Sequence, residues 1–155
     1  MKTFLTLLIF LLAVILESAV LSSGPLLKSA PNLVLVSVLL LVFFKTFGKS
    51  WPIILSASVL LDTFAGLPFG LISVSLIAAA YLIDWFNRSV FSGNKLWLAA
   101  SLVILGTLVY SLLLVALGNF FDVDLAAGLK ELPVKIIYNF LLSVALFYGA
   151  KKIFS

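Results

Sequence analysis

The stretch Ser56–Leu71, SASVLLDTFAGLPFGL, decides how this chain is read. It puts one carboxylate, Asp62, and a Gly-x-Pro-x-Gly break inside an apolar run that extends from Ser50 to Ile83 with no other charge. At 34 residues the run is too long for one bilayer crossing, which takes about 20 apolar residues, and short for two. The reading is therefore two short helices that meet at Ala65–Phe69, where Gly66 supplies backbone freedom and Pro68 opens the second helix. Asp62 then falls in the last turn of the first, just beneath a membrane surface. A carboxylate facing lipid at mid-depth costs roughly 2.5–3.5 kcal/mol on insertion scales, so Asp62 is expected to face protein or water.

Two roles are open to it. The functional one is a ligand for a substrate, an ion or a partner helix. The structural one is to accept hydrogen bonds from the free N–H groups that open the next helix near Gly66–Phe69, where the helix dipole also favours negative charge.

Composition sets the class. The 155 residues are 64% apolar and 10% charged, and the mean hydropathy is +1.31. No water-soluble fold of this size hides that much apolar surface. The expected architecture is an all-α integral membrane protein, one domain over residues 1–155. Histidine and cysteine are both absent, which removes haem ligation, thiolate chemistry, a histidine general base and the usual zinc and iron–sulfur sites. The expectation is a protein that is not an enzyme and carries no cofactor or metal. The net charge of +4 comes from basic residues scattered between apolar runs, so it reports topology and not nucleic-acid binding.

Outward from the central stretch, six helices are expected at about 3–21, 31–47, 51–65, 68–86, 96–117 and 133–154. The first begins after Met1-Lys2 and reads as a retained helix in place of a signal peptide, because Glu17 interrupts it and no small-x-small cleavage site follows before Gly24-Pro25. Glu17 is either an interfacial, water-contacting acid or a second polar group in an internal cavity. Ser22–Ala30 reads as a loop, and Pro31 opens the second helix. Trp51, beside Pro52, suits an interfacial anchor for the third. Asn119–Leu132 is amphipathic and reads as either a short interfacial helix begun by Asp124 or a solvated loop.

Basic residues choose the number of crossings. With six helices and both termini cytoplasmic, Lys2, Lys45, Lys49, Arg88, Lys95, Lys151 and Lys152 lie inside, and Lys28, Lys130 and Lys135 outside, seven against three. If residues 50–83 formed a single kinked span the count would be five against five. The positive-inside rule favours six. Asp62, the Gly66–Gly70 turn and Glu17 then share a depth near the outer face, where two acids are placed to line an outward cavity.

The central stretch is also similar to a known signature. Leu60-Leu61-Asp62 followed by Gly66, Pro68 and Gly70, together with Pro31-Asn32-Leu33-Val34-Leu35, resembles the bacterial rod shape-determining MreD family over residues 30–90. Asn32 stands where that family usually carries an acid, and Ser56, Ala57 and Ser58 where glycines are common. The resemblance implies a non-enzymatic scaffold of the rod complex, which directs lateral peptidoglycan synthesis and maintains cell shape in the bacterial cytoplasmic membrane. It implies MreC, a single-span protein, as partner, and through the complex MreB and RodA with its transpeptidase. The partner or cavity residues it marks are Pro31, Asn32, Asp62, Gly66, Pro68 and Gly70, to which depth adds Glu17. Six short helices with two outward acids also resemble the substrate-capture subunits of energy-coupling-factor vitamin transporters. The alternative function is such a subunit, for which Glu17, Asp62, Asn32 and Asn139 form the polar supply. A proton-linked transporter is a third, requiring a mid-membrane acid.

Overall fold

The computed structural model describes residues 1–22, 32–90 and 95–154. Its elements are α1 (Lys2–Ser22), α2 (Leu33–Phe44), α3 (Phe47–Ala65), α4 (Leu71–Ser89), α5 (Leu96–Phe120), a short 3-10 helix (Ala126–Glu131) and α6 (Leu132–Phe154). The described residues are mostly helical, without strands. Three helical stretches, Leu71–Ser89, Leu96–Phe120 and Ala126–Phe154, are each long and apolar enough to cross a membrane.

The arrangement is five helices around one. Helix α2 packs against each of α1, α3, α4, α5 and α6, and these five neighbour one another in the order α1, α3, α4, α5, α6, with α6 closing back on α1. Every residue from Val34 to Phe43 is buried, on all sides of the helix. Its sequence, LVLVSVLLLVFF, has no polar face to turn outward. Length supplies the stronger reason. Twelve residues make a rod of about 18 Å, well short of a hydrocarbon layer of about 30 Å, so its unpaired terminal N–H groups would end inside the apolar slab. Only a position among other helices offers those groups partners. The closest approach is at Gly106 of α5, where an added Cβ would stand 2.4 Å from Leu39 Cδ1 of α2 and 3.3 Å from Ile83 Cγ1 of α4.

The expected break between Ser50 and Ile83 is present as a helical hairpin. Helices α3 and α4 are neighbours, joined by Gly66–Gly70, with Gly66 at φ 67° and Gly70 at φ 96° in the left-handed region where a side chain is strained. Five boundaries differ from the sequence reading by three residues or more, and two of them are the ends of α4 and α5, which run three residues further than expected to Ser89 and Phe120. Helix α4 begins at Leu71 and not at Pro68, because the positive φ of Gly70 ends the turn. Helix α3 begins at Phe47, leaving Pro52 inside it, and α2 stops at Phe44. Between them lie Lys45 and Thr46, and Thr46 turns the corner at φ 92°, a conformation that hydropathy does not announce. In the amphipathic stretch the structure has one short 3-10 segment running into α6; its cap residue is Leu125 and not the expected Asp124, whose Oδ1 accepts from Ala126 N at 3.0 Å.

Side-chain contacts fix which ends lie together. Phe10 of α1 meets Phe154 near the end of α6, with ring centroids 6.3 Å apart. Phe147 of α6 packs on Phe43 and Phe44 at the end of α2. Asn87 Nδ2 near the end of α4 donates to the Phe43 carbonyl at 3.4 Å. The start of α1, the α2–α3 corner, the α4 end and the α6 end therefore share one end of the bundle. At that end stand Lys45, Lys49, Arg88, Lys151 and Lys152.

Candidate functional site

At the opposite end two helices begin inside the protein, and the sequence-marked residues gather around their first turns. Asp62 lies on the buried face of α3 and is 3% exposed. Its Oδ1 accepts from Ile72 N at 2.9 Å, and its Oδ2 accepts from Gly70 N and Ser73 N, both at 3.0 Å, and from Ser73 Oγ. The cap residue of α4 is Gly70, which has no side chain to offer, so Asp62 supplies the cap from the preceding helix. A carboxylate has about four acceptor sites, and four donors meet this one. Charge at the positive end of the α4 dipole adds to the bonds.

Of the two roles open to Asp62, the geometry matches the structural one. The donors are Gly70, Ile72 and Ser73, a few residues beyond the expected Gly66–Phe69, because the turn is longer than expected. Gly66 and Gly70 make the turn possible, and Pro68 sits within it.

Glu17 of α1 is 7% exposed, and its Oε2 accepts from Val34 N in the first turn of α2 at 2.8 Å. This corrects both sequence readings of Glu17: the acid neither rests at an interface nor hangs in a cavity, because the backbone of a buried helix start holds it. Asn32 is the cap residue of α2, its Oδ1 accepting from Leu35 N at 2.8 Å. Its backbone N–H donates to Asn139 Oδ1 of α6 at 2.8 Å. Asn139 Nδ2 donates in turn to Thr107 Oγ1 of α5 at 3.0 Å, and Thr107 Oγ1 donates to the Val103 carbonyl at 2.8 Å. Tyr110 of α5, itself buried, lies beside the Asn32 side chain. Thus α1, α5 and α6 all reach the start of α2. Pro31 lies outside the described residues.

The structure brings together Glu17, Asn32 and Asn139, and separately Asp62, Gly70 and Ser73. Helices α1 and α3 are neighbours, so the two acids do share a region. They address different helix starts, however, and what they face is backbone N–H, which leaves the expected acid-lined outward cavity without its lining. A groove of about 200 Å³ does open between α1 and α3, but its walls are Leu7, Phe10, Leu11, Ile53, Ser56, Ala57 and Leu60. Ser73 and Thr107 were not singled out from sequence as bonding partners. For Ser73 a signal existed, since a hydroxyl three residues after a helix cap is well placed to meet a capping carboxylate. For Thr107 none did, because Asn139 lies on another helix.

No protein family, no curated protein and no solved structure matches the chain.

Proposed function

We propose that this chain is a multi-pass protein of the bacterial cytoplasmic membrane, six helices with both termini cytoplasmic, and a non-enzymatic scaffold of the rod complex. In this reading it works beside MreC, and through the complex with MreB and RodA with its transpeptidase, in organising lateral peptidoglycan synthesis.

The observation that carries the reading is what Asp62 does. The residue most conspicuous for chemistry or ligand binding has its acceptor sites filled by the first turn of α4. Glu17 likewise bonds to the start of α2, and Asn32 and Asn139 bond there and to each other. Buried polar groups used in this way stiffen a bundle, and association is left to apolar helix faces. Helix α1 exposes Phe4, Leu5, Leu8, Leu12, Ile15 and Leu16, and α6 exposes Val134, Ile137, Leu141 and Tyr148. In lipid such faces associate through packing and interhelical hydrogen bonds worth about 0.6–2 kcal/mol each. The similarity of the Leu60–Gly70 signature to the MreD family gives the scaffold its context. The orientation is supported by the basic residues at the end shared by the α2–α3 corner and the ends of α4 and α6.

The test is purification of the tagged chain from membranes in mild detergent together with a single-span MreC. Stoichiometric recovery of the pair is the expected result. Recovery alone, with a vitamin-sized molecule retained, would favour a substrate-capture subunit instead.

A further inference from the structure

The α1–α3 groove has a charge pattern along it. On α3, Lys49, Ile53, Ser56 and Leu60 fall at i, i+4, i+7 and i+11, so one stripe of the helix carries the lysine and three residues of the groove wall. Lys49 is exposed and stands at the end of that stripe nearest the basic end of the bundle. Across the groove, Leu7, Phe10 and Leu11 of α1 match the heights of Ile53 and Ser56–Leu60 on α3. The two helices run in the same direction, each starting at the basic end, because α2 returns the chain between them. The first turn of α3 thus sits at the basic end with Lys49, and both favour an anion. Thr46, which caps α3, makes no side-chain bond to its first turn. Trp51, 52% exposed and two residues from Lys49, marks the depth at which an aromatic ring sits among lipid headgroups. The acid Asp84 of α4 is paired with Arg88 on its own helix.

We propose that this groove is a binding site for an anionic phospholipid, with an acyl chain lying along Leu7, Phe10, Ile53 and Leu60 and the phosphate at Lys49 and the first turn of α3. The groove wall is apolar apart from Ser56, as an acyl chain requires, and its charged end is of the sign a phosphodiester requires. The proposal rests on the chain residing in a membrane and is independent of the scaffold role.

The test is native mass spectrometry of the detergent-purified protein titrated with phosphatidylglycerol and, separately, phosphatidylcholine of the same acyl chains. The first bound lipid is expected to be phosphatidylglycerol by about fivefold in affinity, the equivalent of about 1 kcal/mol for one lysine at an anionic surface. Lys49→Gln should bring the ratio to about one. Lys95→Gln, which removes a charge of the same end from α5, should leave it unchanged. Ser56→Phe, at an exposed position of the groove wall, should weaken both lipids, with far-UV circular dichroism confirming an intact bundle. A preference that survives Lys49→Gln, equal affinity in the parent protein, or parent-like binding by Ser56→Phe would overturn the site. So would a groove closed to both lipids by a co-purified polypeptide.

Discussion

The first turns of α4 and α2 are both capped by a carboxylate from another helix, yet the two caps are built differently. At α4 one residue, Asp62, meets three backbone N–H groups and the Ser73 hydroxyl, all from a segment eight to eleven residues further along the chain. At α2 the work is divided: Glu17 takes Val34 N, Asn32 takes Leu35 N, and Asn139 takes Asn32 N. The difference follows from what each helix start contains. Gly70 offers no side chain, so everything falls to the hairpin's other arm. Asn32 caps its own helix and needs outside help only for the remaining groups. A concentrated cap is vulnerable to one substitution, whereas a distributed one loses a share at a time.

That contrast orders the expected substitutions. Asp62→Ala should cost the most, about 3 kcal/mol, because it strands several buried donors of α4 at once. Denaturant titration of the micelle-embedded protein, followed by far-UV circular dichroism, reads it, and a loss below about 1 kcal/mol would break the comparison. Glu17→Ala should cost less, about 2 kcal/mol in the same titration, since Asn32 and Asn139 still serve the α2 start. Asp62→Asn, which keeps one acceptor oxygen but turns an NH₂ toward donors, should insert normally and lose about 1.5 kcal/mol. Asn32→Ala should lose about 1 kcal/mol, the usual cost of an N-cap. The smallest effect sharpens the comparison most. A Glu17→Ala/Asn32→Ala double mutant should show coupling of about 0.5 kcal/mol or more, whereas Asp62→Ala/Asn32→Ala should be additive within about 0.5 kcal/mol.

The two caps also differ in how readable they were. The α3–α4 hairpin and the cap by Asp62 were visible in Asp62, Gly66, Pro68 and Gly70, because the residues that make them lie within one short stretch. The destination of Glu17 was not visible, since Val34 follows only after a loop, and neither was the pairing of Asn32 with Asn139, separated by 107 residues. Hydropathy also misjudged α2. Its apolar run reads the same whether it faces lipid or other helices, as hydrocarbon and a packed interior are equally apolar. What made it the hub was its early stop at Phe44 and the two-residue corner at Lys45-Thr46, and Thr46 carries no local signature for a positive φ. Trp51-Pro52 misled in the other direction, marking a helix start at 51 where the helix begins four residues earlier at Phe47.

The account stands on residues 50–83 running across the bundle and back. The chain has no cysteine, so single-cysteine variants at Arg88, Lys151 and Asp124 give an unobstructed test with a membrane-impermeant maleimide on intact cells and on inverted vesicles. Arg88→Cys and Lys151→Cys should react together, in inverted vesicles alone, and Asp124→Cys from the cell exterior alone. Labelling of Arg88→Cys and Lys151→Cys from opposite faces would contradict the hairpin crossing.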